Sequence, residues 1–147
     1  MAKKVTDGST HLHRLIDLKH DKLKPIKVDR STIKYATATA NGLTRAVVDF
    51  LTLSGHQAER INTMGVWMKS KGYRDGGFYR PTTGTKGSAD ISAIVAGKSV
   101  KIEVKINDQL SDAQIRYGEQ VTRAGGIYLV VRTFDQFIEW YDQFVQG

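Results

Sequence analysis

A three-layer α/β domain, with a central mixed sheet flanked by helices, is the fold class this sequence predicts, and three observations carry it. Short strand-like runs alternate along the chain with longer amphipathic patterns of helical period. Two of the runs, 91–95 and 100–104, are separated only by Ala96-Gly97-Lys98-Ser99, which has turn composition, so they read as a hairpin. A third run, 127–131, is continuously apolar (Ile-Tyr-Leu-Val-Val) and reads as a central strand covered on both faces.

The elements follow in order. Residues 1–8 form a basic terminus, after which Ser9 or Thr10 can cap a helix through Leu12, Leu15, Ile16 and Leu23 that ends before Pro25. The Thr/Ala-rich stretch 31–41 reads as a short strand and loop or as a linker, with Asn41-Gly42 as a turn signal. From Thr44, the residues Ala46, Val47, Phe50 and Leu51 fall at helical spacing, and Ser54-Gly55 closes that helix. Residues 57–62 alternate as a strand. Residues 65–86 are rich in glycine, with cations interleaved among Trp67, Tyr73, Phe78 and Tyr79. That segment suits either a loop tracking a sugar-phosphate backbone and stacking on an unpaired base, or a hairpin whose aromatics cover the core edge. Ser111 and Gln114 have capping-box spacing before a helix with Ile115, Val121 and Ala124 inward, closed by Gly125-Gly126. Thr133 and Gln136 repeat the pattern before a last helix that places Phe137, Ile138, Tyr141, Phe144 and Val145 inward.

At 147 residues and 16.4 kDa, with 40% apolar residues, the chain suits one soluble domain. It has no cysteine, hence no disulfide, no thiolate nucleophile and no Cys-ligated zinc. It has no signal-peptide core and no apolar run long enough to span a bilayer, so a cytoplasmic protein without a membrane partner is expected. Net charge is +7 and unevenly spread: residues 1–42 hold nine Lys/Arg against four Asp, and residues 43–147 hold thirteen against eleven acids. The chain therefore divides into a basic N-terminal arm or helical extension (1–42) and a core (43–147). A polyanion such as nucleic acid is the natural partner of that excess, and a solubilising surface is the alternative.

Chemistry concentrates in the hairpin. Ile91, Ala93 and Val95 share an apolar face with Val100, Ile102 and Val104, which leaves Asp90, Ser92, Lys101, Glu103 and Lys105 on the other. With Gly97-Lys98 as the two-residue turn, Ser92 faces Glu103 and Asp90 faces Lys105. Asp90 and Glu103 are hard oxygen ligands suited to Mg²⁺ or Mn²⁺, and the Val104 backbone carbonyl can add a third ligand. Lys105 can hold an attacking water and stabilise charge on a phosphate. Gly87 leaves room near Asp90 for a phosphate backbone. An exposed face laced by weak ion pairs is the plainer alternative for these residues. Arg60, Arg80 and Lys86 are the candidate nucleic-acid contacts.

These residues resemble the VRR-NUC type of the PD-(D/E)XK nuclease superfamily, the restriction-endonuclease-like fold. The resemblance rests on Gly87-Ser88-Ala89-Asp90-Ile91, Ile102-Glu103-Val104-Lys105, Ser111-Asp112-Ala113-Gln114 and Gly125-Gly126-Ile127-Tyr128 in this order, with Arg60-Ile61-Asn62 upstream. It covers about residues 43–141. It implies Mg²⁺-dependent hydrolysis of DNA phosphodiesters (with Mn²⁺ able to substitute), Asp90 and Glu103 as metal-binding acids, Lys105 as the motif lysine, and Gln114 beside the active centre. For Gln114 a helix cap with Ser111 is the competing role. Many relatives carry a further glutamate on the first core helix; this chain offers only Asp49 there and Glu59 on the next strand. The resulting expectation is a metal-dependent DNA endonuclease, with a non-catalytic nucleic-acid-binding module on the same fold as the alternative. One small site addresses one strand, so cutting both strands calls for a homodimer or sequential attack.

Overall fold

A computed structural model describes residues 9–61, 66–68, 76–80 and 84–147, with backbone alone for 66–68. Four helices are described: α1 (Leu12–Leu23), α2 (Ala40–Leu53), α3 (Asp112–Arg123) and α4 (Phe134–Gln146). The strands are β1 (Gln57–Arg60), β2 (Val66–Met68), β3 (Phe78–Arg80), β4 (Ile91–Val95), β5 (Lys98–Val104) and β6 (Ile127–Val131). A mixed sheet runs β1-β4-β5-β6, antiparallel except for the parallel β5/β6 pair, while β2 and β3 form a separate two-stranded ribbon. The chain is thus α/β. No helix among the described residues is long and apolar enough to cross a membrane.

Alternation along β4 and β5 sends Ile91, Ala93, Val95, Val100, Ile102 and Val104 to one face, where Leu15 of α1, Leu43, Val47 and Phe50 of α2, and Phe134, Phe137 and Ile138 of α4 complete the core. Phe50 sits at its centre, edge-on to Phe134, Phe137 and Tyr141. On the opposite face α3 packs over β6, where Gly118 lies so close to the Tyr128 ring that an added Cβ would fall 2.5 Å from it.

Several expectations need correction. The 127–131 run is an edge strand of the described sheet rather than a central one. Its apolar continuity arises because Leu129 and Val131 face the core cluster while Tyr128 faces α3; strand position is lateral and leaves no such mark. Helix α2 starts four residues early, capped by the Thr39 hydroxyl, which accepts from the Gly42 amide. Asn41-Gly42 therefore lies inside the first turn, and Gly42 is required because a Cβ there would overlap the Ala36 carbonyl. Ser9 and Thr10 do not cap α1 with their own side chains; they bind Asp135 of α4. Ile115 and Val145 are exposed, and the buried position of α3 is Gly118. Of the aromatic segment, Tyr73 and the Trp67 side chain lie outside the described residues, as does Asn62 at the predicted end of the first strand.

Candidate active site

The hairpin turn is Ala96-Gly97, with φ of 48° and 77°, so both central residues take the positive φ that a tight type I′ hairpin turn demands. Reading the turn as Gly97-Lys98 had placed glycine first. The observed register pairs Val95 with Lys98 and Ile91 with Ile102, two residues away from that expectation. An even shift preserves the faces but changes the partners: Ser92 lies opposite Lys101, and continuation of the ladder carries Asp90 to Glu103 rather than to Lys105. The correction brings the two carboxylates closer together.

Each acid is held by one oxygen. Asp90 Oδ2 accepts from the Val104 amide at 2.8 Å. Glu103 Oε1 accepts from Gln114 Nε2 at 2.6 Å, whereas Glu103 Oε2 is buried without a hydrogen-bond partner among the described residues. Glu103 as a whole is only 3% exposed, enclosed between the core strands and α3. Burial pushes its carboxyl up to about 7, and the charge of Asp90 adds to the rise while Lys105 opposes it. The Lys105 side chain is largely buried, and its ammonium reaches Asp108 at 3.0 Å. Arg132 in turn donates to the Asp108 carbonyl and anchors that loop.

Gln114 completes the helix cap and also reaches Glu103. Its Oε1 accepts from the Ser111 amide at 2.9 Å and its own amide donates to Ser111 Oγ, a complete capping box, while Nε2 is left free to face Glu103. The cap thereby fixes which end of the amide meets the carboxylate. Replacing Gln114 with Ala should lower stability by about 1–2 kcal/mol in urea denaturation, because it breaks the box and strips a donor from a buried acid. Ser111→Ala should cost less, since the Glu103 bond survives.

The Val104 carbonyl also points toward the site. The Lys105 amide donates to Val131 of β6, and across a trans peptide the preceding carbonyl points the opposite way, to the β4 side where Asp90 sits. Gly87 does not leave space for substrate: its φ is 78°, and a Cβ would meet the Ala113 backbone at 2.5 Å, so it lets α3 close onto the strand end.

Other candidates are not brought together with these. Arg60 extends to the α2 side of the sheet edge, where it donates to Asn41 Oδ1 at 2.6 Å. Arg80 and Lys86 are exposed, on the ribbon and in the turn after it. Asp49 is taken by the Tyr35 hydroxyl (2.7 Å) and Lys19 (3.6 Å), and Glu59 is exposed opposite Ser92. Sequence reasoning missed Asp108, three residues beyond Lys105, and Tyr128, whose buried hydroxyl has no partner among the described residues and whose ionisation is pushed up to about 12 by burial and by Glu103 and Asp90. The lysine-aspartate spacing was a readable signal for the first; nothing local marks the second.

Whether a dication suits these residues can be asked of the orphaned oxygen. A buried, unpaired carboxylate oxygen beside a second carboxylate and an inward-facing carbonyl is a hard, anionic donor set of the kind Mg²⁺ takes, with substrate phosphate completing the shell. Among the described residues no group of three His, Cys, Asp or Glu gathers for a metal, so the fit is to a two-acid site. Against known proteins, no family model and no curated sequence matches this chain.

Proposed function

We propose that this chain is a metal-dependent DNA endonuclease of restriction-endonuclease-like architecture, of the VRR-NUC type, and that the juxtaposed Asp90 and Glu103, with Oε2 of Glu103 buried and unpaired, carry the reading. Asp90, Glu103 and the Val104 carbonyl would hold Mg²⁺ or Mn²⁺, which supplies Lewis acidity toward a phosphodiester and toward bound water. The chain's own groups do the positioning. The Val104 amide holds one oxygen of Asp90 and Gln114 one oxygen of Glu103, which leaves the second oxygen of each acid for the ion. Lys105, paired with Asp108, would supply the ammonium that holds an attacking water and offsets the charge gathering on phosphate oxygens. The chain's excess of cations supplies attraction to DNA.

The test is incubation of labelled branched, single-stranded and duplex DNA with the purified protein in Mg²⁺, Mn²⁺ or EDTA. Cleavage with either ion and none in EDTA is expected. Binding to all three substrates without cleavage in either ion would move the protein to the alternative, a non-catalytic nucleic-acid-binding module. Double-strand scission that rises with the square of protein concentration would indicate that a homodimer cuts both strands.

A further inference from the structure

The β2/β3 ribbon carries two large apolar side chains that the fold leaves in solvent: Phe78 is 55% exposed and Tyr79 is 57% exposed. Consecutive residues of a strand point to opposite faces, so each face of the ribbon presents an aromatic ring, and Arg80, also exposed, shares the face of Phe78. Neither ring belongs to the core cluster, so Phe78 and Tyr79 do not cover the core edge. The register sets Trp67 opposite Tyr79 and Val66 opposite Arg80.

Placement gives the ribbon its meaning. The Ile61 amide donates to the Asp90 carbonyl at 2.7 Å, so the excursion that carries β2 and β3 leaves the sheet and returns to it at the candidate metal-binding aspartate. Asp90 lies ten positions beyond Arg80 in the sequence, a tether of at most about 35 Å. Charge completes the picture. Residues 65–86 contain Lys69, Lys71, Arg74, Arg80 and Lys86 against Asp75 alone, +4 of the chain's +7.

We propose that the ribbon is a stacking platform for unpaired bases, and that it makes DNA with a single-stranded portion next to the scissile phosphate the preferred substrate; this rests on the endonuclease reading above. Aromatic faces stack on any base without reading sequence, and paired bases inside a duplex have no free face to offer. Arg80, on the same strand as the two rings, holds the backbone of the bound strand, and the root of the ribbon delivers it to Asp90.

The experiment measures binding rather than cleavage. Full-length protein in EDTA is titrated into fluorescein-labelled oligo-dT, a blunt duplex and a forked duplex over a series of salt concentrations. The double substitution Phe78→Ala, Tyr79→Ala should weaken oligo-dT and fork binding at least about tenfold, leave the blunt duplex within twofold, and keep the salt slope, since stacking releases no counterions. Arg80→Ala should weaken all three and flatten the slope by about 0.7 for the single strand. If the alanine variant melts early, Phe78→Leu, Tyr79→Leu keeps apolar bulk and removes the stacking faces, and the same losses are expected. Equal losses on duplex and single strand, or none, overturn the proposal, as does self-association that the variant abolishes with DNA binding intact. Metal-dependent cleavage is scored separately, so an inactive protein that still prefers unpaired DNA would sink the endonuclease and spare the platform.

Discussion

Glu103→Gln is expected to abolish metal-dependent cleavage while making the metal-free protein more stable at pH 8. Glutamine keeps the shape and an acceptor for Gln114 Nε2, but removes the charge whose second oxygen is buried and unpaired. The sign follows from linkage. A carboxyl raised from an ordinary 4.5 to about 7 by folding contributes stability that is full below about 4.5 and lost as pH climbs through about 7. The decline amounts to roughly 2–4 kcal/mol at 1.36 kcal/mol per unit. In EDTA the wild-type protein should therefore melt at falling temperature between pH 5 and pH 8 relative to Glu103→Gln, with the two converging near pH 4. Added Mg²⁺ should narrow the gap at pH 8 by stabilising only the wild type. Identical melting curves at pH 8 would mean that the acid is not held in a charge-hostile setting. Cleavage by the variant at the wild-type rate would remove Glu103 from the machinery. A gain in stability accompanied by total loss of cleavage separates a functional acid from a structural one, because a structural acid loses both.

How far the site could be read from the residues depended on period and on length. Period-2 alternation assigned the faces of β4 and β5 correctly, since it survives any even slip in register. The slip itself was invisible: an alanine at φ 48° is uncommon, so Ala96-Gly97 was the less obvious choice of turn. The capping box at Ser111 and Gln114 is a local signal and was legible as such, whereas the reach of Gln114 to Glu103 depends on how α3 crosses β5. Gly87 illustrates the same limit, because the sequence says only that no side chain is wanted there, and Ala113 rather than a phosphate fills the space. Arg60 looked like a phosphate contact by charge and ended on the other side of the sheet, since one position along a strand reverses the face.

The N-terminal helix is the second place where a large effect is expected, and there the effect is on folding. Leu15 is fully buried in the common core, and the Arg14 guanidinium bonds both oxygens of Asp142 (2.7 and 3.0 Å) while lying over the Phe50 ring. Asp135 receives the Thr10 and His11 amides, each at 2.8 Å, as well as the Ser9 hydroxyl, so a carboxylate from α4 caps the start of α1. Partial burial works to raise that carboxyl, but these donors outweigh it and hold it below its ordinary value. Stability from Asp135 is thus present above pH 4 and lost as pH falls further. Several cations counted toward a DNA-binding arm are paired with acids of the same chain: Arg14 with Asp142 and Lys19 with Asp49 in part-buried settings, Lys24 with Asp21 and Arg30 with Asp17 at the exposed surface. Leu15→Ala should lower the unfolding free energy by about 2–5 kcal/mol through the lost side chain and the cavity it leaves. Asp135→Ala should lower it by roughly 2 kcal/mol, by leaving two helix-terminal amides without acceptors. Deleting residues 1–23 combines these losses and opens Phe50 to water, which exceeds what a domain stable by about 5–15 kcal/mol tolerates comfortably. The shortened chain should show a broadened urea transition and a weakened near-ultraviolet circular dichroism signal. A sharp, native-like transition at the full-length midpoint would show instead that α1 rests on the core without supporting it, and only then would the salt dependence of DNA binding by the shortened chain report on an arm.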